Sequence, residues 1–431
     1  MSRRVFGTDG IRGLAGEYPL DEAGAKRVGQ AVGKHFAQPG QAVVIASDPR
    51  ESSAGLVKAL TAGLNSVGVN VTLAGVLPTP GLAYVTRDGD FAAGVMVTAS
   101  HNLYQYNGIK VFDADGGKLS DDTEAELNKL IEAGTDEHDQ GSSTTDEQLV
   151  KSYEDFLVNS AGDLKLDSLA LAVDTANGAA SGLAERVFSR LGAQVTPLFD
   201  KPNGQNINAA CGTTDTTAVS KAVLDGKLNL GIAVDGDADR VALIDDQGRE
   251  VNGDHLLYIL AVAGGFDGVV ATVMSNLGLE QALERHNIKL VRTAVGDRYV
   301  LEGLEQTGLR LGGEQSGHII FTDLLKTGDG LLAAVQAMRV ASPIGKSLAQ
   351  WRDEVELLPQ ALVNIPVKDK ARLEADDVQA FIKQQTEQLG ERGRLLIRPS
   401  GTEPIARVMV EAPNAQAAAE AIAKELKELL A

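Results

Sequence analysis

The sequence predicts an α/β protein with three related α/β domains, whose sheets are mixed and largely parallel, followed by a smaller C-terminal α+β domain. Two observations carry this. First, three segments share one pattern: GLVKALTAGLNSVGVNVTLAG (55–75), GLAERVFSRLGAQVT (182–196) and GLEQALERHNIKLVRTAVG (278–296). Each opens on Gly-Leu, runs through a helical apolar period, turns, and ends in a strand-like run. Each also follows a strand candidate: AVVIAS (42–47), LALAVD (169–174) and VVATVMS (269–275). Repeated strand–helix–strand units favour parallel pairing. Second, the tail departs from this pattern. ALVNIPV (361–367), RLLIRPS (394–400) and ARVMVEA (406–412) read as strands, with helical runs at about 370–389 and 414–430.

The chain has 431 residues, too many for one core. We place domains at 1–150, 151–250, 251–355 and 356–431. The first seam falls near the acidic, Ser/Thr-rich GTDEHDQGSSTTDE (134–147). No window has the length of uncharged apolar run that a membrane helix needs, so no membrane association is expected. The start, MSRRVFGTDG, has no apolar run of the signal-peptide kind. One cysteine, Cys211, fits a reducing cytoplasm and excludes an internal disulfide. The formal net charge of −19 disfavours nucleic acid as a partner. An anionic ligand would need cations gathered locally.

Four stretches point to chemistry. In VTASHNLYQYNGIK (97–110), Ser100 sits beside His101 at the end of a strand-like run, where open α/β sheets place their sites, and Lys110 closes the stretch. In GIAVDGDADRVALIDDQG (231–248), Asp235, Asp237 and Asp239 alternate after an apolar strand. Three carboxylates so close repel one another unless a cation holds them, and hard oxygen donors suit Mg²⁺ or Ca²⁺. An EF-hand fails, because Arg240 stands where its glycine belongs and Asp246 where its glutamate belongs. An Asp/Gly-rich turn is the plainer reading of the same residues.

LGGEQSGHIIF (311–321) offers Glu314 and Ser316 as hydrogen-bonding groups and His318 as a group that exchanges protons near neutral pH. A histidine at a strand edge is more often structural. RPSGTEPIARVMV (398–410) gathers Arg398, Ser400, Gly401 and Thr402 in one turn, a candidate phosphate cradle whose plainer reading is an ordinary Pro-Ser-Gly turn. FGTDGIRG (6–13) adds Arg12, and AVGDRYV (294–300) adds Asp297 and Arg298. Familiar alternatives fail on spacing. IGKS (344–347) has Val340 where a P-loop needs its first glycine, and no serine lies in a G-x-S-x-G elbow.

In this order, the pieces resemble the α-D-phosphohexomutase superfamily over essentially the whole chain. TASHN, DGD-x-DR and SGTEP carry the superfamily resemblance. GGEQSGH, PNGQNINAACGTTD (202–215) and VGDRYVLE (295–302) resemble its glucosamine branch.

The resemblance implies interconversion of glucosamine 6-phosphate and glucosamine 1-phosphate through a bisphosphorylated sugar. Mannose or glucose phosphates are the nearer alternative substrates. A metal-dependent sugar-phosphate phosphatase and a non-catalytic sensor are more distant readings. It also implies roles residue by residue. Ser100 would carry the phosphoryl group. Phosphorylated Ser100, Asp235, Asp237 and Asp239 would share one Mg²⁺ per chain. Arg12, His101, Lys110 and Arg240 would line the transfer site, with His318 a further catalytic candidate. Glu314 and Ser316, with Asp297, would bind the sugar. Arg398, Ser400, Gly401, Thr402 and Arg407 would bind the non-reacting phosphate. A hexose 1,6-bisphosphate would activate the enzyme. The expected partner is an amino-sugar phosphate, with a homodimer expected only by analogy.

Two residues depart from the superfamily pattern. Leu103 replaces a proline after SHN, which predicts a less stiff serine loop; the Ser100 hydroxyl is separately expected to be exposed on its loop. Ala238 replaces the middle glycine of the acidic loop, which requires its backbone to avoid positive φ.

Overall fold

The computed structural model describes residues 5–7, 10–134, 140–400 and 404–430. These form two compact units. One runs through Met274 and resumes over Asn287–Arg352; the other joins Ser275–His286 to the chain from Asp353 onward.

The first unit contains three sheets. The six-stranded sheet has the order Ile11–Leu14, Tyr106–Asp113, Ala93–Val97, Ala42–Ser47, Asn70–Val76 and Ser143–Thr145. Its first two pairings are antiparallel and the other three parallel. The five-stranded sheet runs Glu250–Val251, Val241–Ile244, Leu230–Val234, Ala170–Asp174 and Gln194–Leu198, with two antiparallel pairings followed by two parallel ones. The four-stranded sheet pairs Gly268–Thr272 in parallel with both Lys289–Thr293 and Leu311–Gly313, and ends antiparallel on Ile319–Phe321. The three sheets are thus mixed, with parallel pairings in the majority over the three together though not within the five-stranded one, as the repeated segments predict.

Local chemistry explains where the helices begin. Glu22–Phe36 starts where the Asp21 carboxylate accepts from the Gly24 N–H, with Glu22 in the first turn and Lys34 and His35 in the last. The charges of Glu22 and Lys34 oppose the helix dipole at each end. Ser120 caps Asp121–Ala133 in the same way. The first core packs Val43, Ile45, Val95, Val97 and Ile109 of the sheet against Val28, Val32, Leu56 and Leu60 of two helices. These central strands are apolar on both faces, as parallel strands covered by helices require.

In the second unit, Gln360–Pro366, Ile405–Glu411 and Arg394–Pro399 form an antiparallel sheet in that order. Val408 and Val410 face Ala419, Ile422 and Leu426 of the helix Ala415–Leu429. The single helix expected at about 370–389 is instead a 3-10 turn, Lys370–Glu374, and a helix, Asp376–Leu389. Ala375 is extended between them, and Asp376 and Asp377 then supply the acidic first turn that favours a fresh N-terminus. The helix Leu277–Glu284 also belongs to this unit. It lies so close to Glu356 that a Cβ on Gly278 would meet that residue's carbonyl oxygen at 2.1 Å, so only glycine fits. Among the described residues, no helix is long and apolar enough to cross a membrane.

Candidate active site

Sheet order brings the chemistry together. Ala42–Ser47 and Ala93–Val97 are parallel neighbours with Ser47 opposite Val97, so the segments after them leave the sheet at the same edge. One carries Asp48 and Arg50, the other Ser100. Ser100 is only 2% exposed, and its φ of +51° lies in the left-handed region. Its hydroxyl donates to Asp235 Oδ2 at 2.7 Å across 135 residues of sequence, with His101 Nδ1 at 3.5 Å. The expected exposed serine is therefore buried. The reason is that the acidic loop lies against it: a Cβ on Gly236 would meet the Ser100 carbonyl at 2.6 Å. Nor does Leu103 leave the loop untied. Its side chain is exposed, but its carbonyl accepts from Arg50 Nη1 at 2.5 Å.

Asp235, Asp237 and Asp239 follow the strand Leu230–Val234, and each offers an oxygen within 4.8 Å of the others. All three are buried. Among the described residues, Asp237 Oδ1 and Asp239 Oδ1 have no hydrogen-bond partner. Buried carboxylate oxygens are ordinarily paired, and three of them together need a cation. The donor set is all oxygen, so it fits a hard divalent ion such as Mg²⁺.

Lys110 partly offsets the charge, with Nζ 2.9 Å from Asp237 Oδ2 and 3.2 Å from Asp239 Oδ2. Burial raises the Asp239 carboxyl, but Lys110, His318 and Arg240 overcome this and hold it at about 2. Asp235 goes the other way: burial, then repulsion from Asp239 and Asp237, pushes it well above the usual range. Arg240 lies beside the triad, and the neighbouring carboxylates outweigh burial and keep its guanidinium charged. Burial, then Arg240 and Arg12, lower His101.

Ala238 does not avoid positive φ; it sits at +57°. Its N–H donates to the Asp235 carbonyl at 3.0 Å and its carbonyl accepts from Gly330 N at 2.9 Å, so hydrogen bonds on both sides hold it there. The left-handed conformation costs a non-glycine residue about 1–2 kcal/mol, and strain of this kind gathers at functional loops.

Beside the triad opens a cleft of about 900 Å³, lined by Asp239, Arg240, Asp297, Glu314 and His318 among others. Glu314 Oε1 accepts from Gly296 N at 3.3 Å, and Ser316, which is exposed, donates to Glu314 Oε2 at 3.3 Å. His318 is buried with Nε2 3.3 Å from Asp297 Oδ2, and Asp297 is also paired with Lys118. Arg12 is exposed on the strand Ile11–Leu14, opposite Gly108.

In the second unit, Arg398 and Arg407 face each other in register on adjacent antiparallel strands. Burial and Arg407 lower the pKa of Arg398. Like charges directly opposed in a sheet are unfavourable unless an anion joins them. Ser400 is buried at the end of the same strand pair, its N–H donating to the Ile405 carbonyl at 2.9 Å. Gly401 and Thr402 lie outside the described residues.

Sequence reasoning missed Asp48, Arg50, Thr79 and Asn208. Thr79 Oγ1 donates to Asp237 Oδ2 at 2.5 Å. Asn208 Nδ2 donates to the carbonyls of Ser100 at 2.7 Å and Asn102 at 2.9 Å. Only two signals were available: SDPR follows a strand candidate, and Asn208 lies within the PNGQNINAACGTTD stretch.

Comparisons with known proteins cover nearly the whole chain. Residues 3–138, 151–248 and 252–357 match the three α/β/α domains of phosphoglucomutase/phosphomannomutase, and residues 362–429 match its C-terminal domain. The chain is 47% identical to the phosphoglucosamine mutase of Thermus thermophilus, over 99% of this chain and 97% of that one. A phosphoglucomutase/phosphomannomutase family protein from Burkholderia thailandensis superposes with a TM-score of 0.82 at 26% identity, over 99% of this chain and 96% of that one. The Aspergillus fumigatus N-acetylphosphoglucosamine mutase, solved with GlcNAc-6P and magnesium, shares the fold at 18% identity and a TM-score of 0.68, over 98% and 95% of the two chains.

Proposed function

The chain belongs to the phosphoglucomutase/phosphomannomutase family, and from that premise we propose that it interconverts glucosamine 6-phosphate and glucosamine 1-phosphate through a phosphorylated Ser100. The observation that carries the reading is Ser100 Oγ, buried and 2.7 Å from Asp235, in a triad with two unsatisfied carboxylate oxygens. The name of the relative at 47% identity favours the amino-sugar substrate.

In this reading phosphorylated Ser100 gives its phosphoryl group to the free hydroxyl of a hexosamine monophosphate. The bisphosphate turns round, and its other phosphoryl group returns to Ser100. Asp235, Asp237 and Asp239, with the serine phosphate, would hold one Mg²⁺ per chain, and the ion would supply positive charge against the phosphoryl oxygens. Lys110, Arg240 and Arg12 supply further positive charge around the reacting group, and His101 a hydrogen-bonding ring. Glu314 and Ser316 orient the sugar hydroxyls, with Asp297 and His318 in the same cleft. Arg398, Arg407, Ser400, Gly401 and Thr402 grip the phosphate that does not react. A hexose 1,6-bisphosphate activates by rephosphorylating idle enzyme. The four sheets support a division into four domains at the seams near 150, 250 and 355. The single, buried Cys211 suits a reducing cytoplasm.

A coupled assay with glucosamine, glucose and mannose 6-phosphates tests the substrate. The expected order places glucosamine 6-phosphate first in kcat/KM, with moderate discrimination because one ring substituent changes. A preference for mannose 6-phosphate moves the chain to that branch of the family.

The cradle makes a separate prediction. A charge-assisted hydrogen bond to a ligand contributes about 1.5–3 kcal/mol, so Arg398→Ala should raise KM about 10- to 100-fold with a smaller change in kcat. An unchanged kcat/KM shows that Arg398 does not touch the substrate.

A further inference from the structure

The Ser100 loop closes two hydrogen bonds of its own, from Asn102 N to the Ala99 carbonyl and from Tyr106 N to the Leu103 carbonyl. That is ordinary closure for a turn. A second network lies beneath it and converges on the peptide groups of Ser100. Asp48 and Arg50 are 1% and 2% exposed, and Arg50 Nε donates to Asp48 Oδ2 at 2.8 Å. Arg50 Nη2 donates to the Ser100 carbonyl at 2.9 Å, and Nη1 to the carbonyls of Leu103 at 2.5 Å and Tyr106 at 3.1 Å. Asp48 Oδ2 also accepts from Thr98 Oγ1 at 2.7 Å, and Thr98 Oγ1 accepts from the Ser100 N–H at 2.9 Å. The ring is closed: the N–H of Ser100 reaches Asp48 through Thr98, and its carbonyl reaches Asp48 through Arg50. Asn208 Nδ2 binds the same carbonyl at 2.7 Å.

A buried Arg–Asp pair is weak evidence of stability, because desolvation offsets much of its attraction. Its value here is geometric. Ser100 is held at φ +51°, a conformation that a non-glycine residue keeps only when its surroundings over-determine it. The planar guanidinium meets three carbonyls at fixed angles, which a lysine ammonium on a flexible stem does not reproduce.

We propose that Arg50, held by Asp48, is a positioning residue for phosphoryl transfer, fixing the Ser100 peptide so that Oγ stays aimed at the acidic triad in both half-reactions. This rests on Ser100 being the phosphoryl carrier. The sugar must react in two orientations, so the enzyme's half of the reacting pair has to stay still. A misplacement of about 1 Å costs on the order of 100-fold in rate.

The test is single-turnover phosphorylation of dephosphorylated full-length protein by glucose 1,6-bisphosphate, followed by intact mass. In this step a sugar O–P bond breaks, an Oγ–P bond forms, and the serine proton ends on the freed sugar hydroxyl. For Arg50→Lys the expected result is a rate lowered about 100-fold with the final phosphorylated fraction unchanged. Steady-state kcat should fall in parallel while KM stays within about 3-fold. A rate within about 3-fold of the wild type overturns the proposal. So does a reduced final fraction at the normal rate, which marks a merely structural role.

If Arg50→Lys does not fold, Asn208→Ala removes the other side-chain donor to the Ser100 carbonyl. It should slow the same step about 10-fold at full amplitude, the effect of losing one hydrogen bond of about 1.4 kcal/mol, and a wild-type rate there overturns the proposal. A wild-type protein that takes up no phosphoryl group at Ser100 removes the mutase reading and this proposal with it. A phosphorylated wild type beside an unimpaired Arg50→Lys removes this proposal alone.

Discussion

Ser100→Ala is expected to lower exchange between glucosamine 6-phosphate and glucosamine 1-phosphate by on the order of 10⁴-fold, because the covalent carrier is gone and no neighbour can replace it. Beside the serine oxygen lie Asp235 Oδ2 at 2.7 Å, which belongs to the acidic triad, and His101 Nδ1 at 3.5 Å. The protein should stay folded, although the change is not free of cost. The hydroxyl is buried and donates to Asp235, so its loss should cost about 1 kcal/mol. For a chain of this size that lowers Tm by roughly 1 °C. Intact mass supplies an independent observable. Wild-type protein incubated with glucose 1,6-bisphosphate should gain one phosphoryl group localised to Ser100, and the variant none. Near-wild-type turnover by Ser100→Ala of confirmed purity ends the phosphoserine reading.

The second large effect is expected at Asp237. Asp237→Asn keeps the size of the side chain but removes one of the three buried carboxylates, and turnover should fall by on the order of 10³-fold. Among the described residues, Asp237 Oδ1 has no hydrogen-bond partner, and with Asp239 Oδ1 it is left to face a cation. Oδ2 is engaged by Thr79 and Lys110. Asparagine can still accept from Thr79 but no longer balances the Lys110 charge, which then rests on Asp239. Stability gives a readout separate from activity. Added Mg²⁺ should raise the Tm of the wild type, since an ion that binds only the native state stabilises it by mass action. In Asp237→Asn that rise should be largely lost. Wild-type turnover that survives exhaustive chelation, or a variant with the full Mg²⁺-dependent rise, removes the triad as the metal site.

Much of the fold and part of the site are legible in the sequence because the signals are local. Strand runs such as AVVIAS and ARVMVEA form where their apolar patterns place them, as Ala42–Ser47 and Ile405–Glu411. Asp235, Asp237 and Asp239 occupy one turn, so their mutual proximity is a property of a few bonds. The opposition of Arg398 and Arg407 also follows once their two strands pair. Helix ends depend on capping, which is why the break at Ala375 escapes a reading by periodicity.

The sequence by itself determined the α/β class, the strand–helix–strand units, the acidic loop and the serine beside a histidine. All of these depend on the periodicity or composition of short segments. Only the tertiary structure decided that Ser100 is buried, that it meets Asp235 across 135 residues, and that Lys110 turns to Asp237 and Asp239. It also decided that Arg50, an arginine with no motif around it, holds both peptide groups of Ser100 through Asp48 and Thr98. The positive φ of Ser100 and Ala238 belongs with these. The physical reason is the same in each case. These contacts exist because sheet order sets particular strand ends side by side, and that order follows from packing summed over the whole core, which no local window of sequence contains.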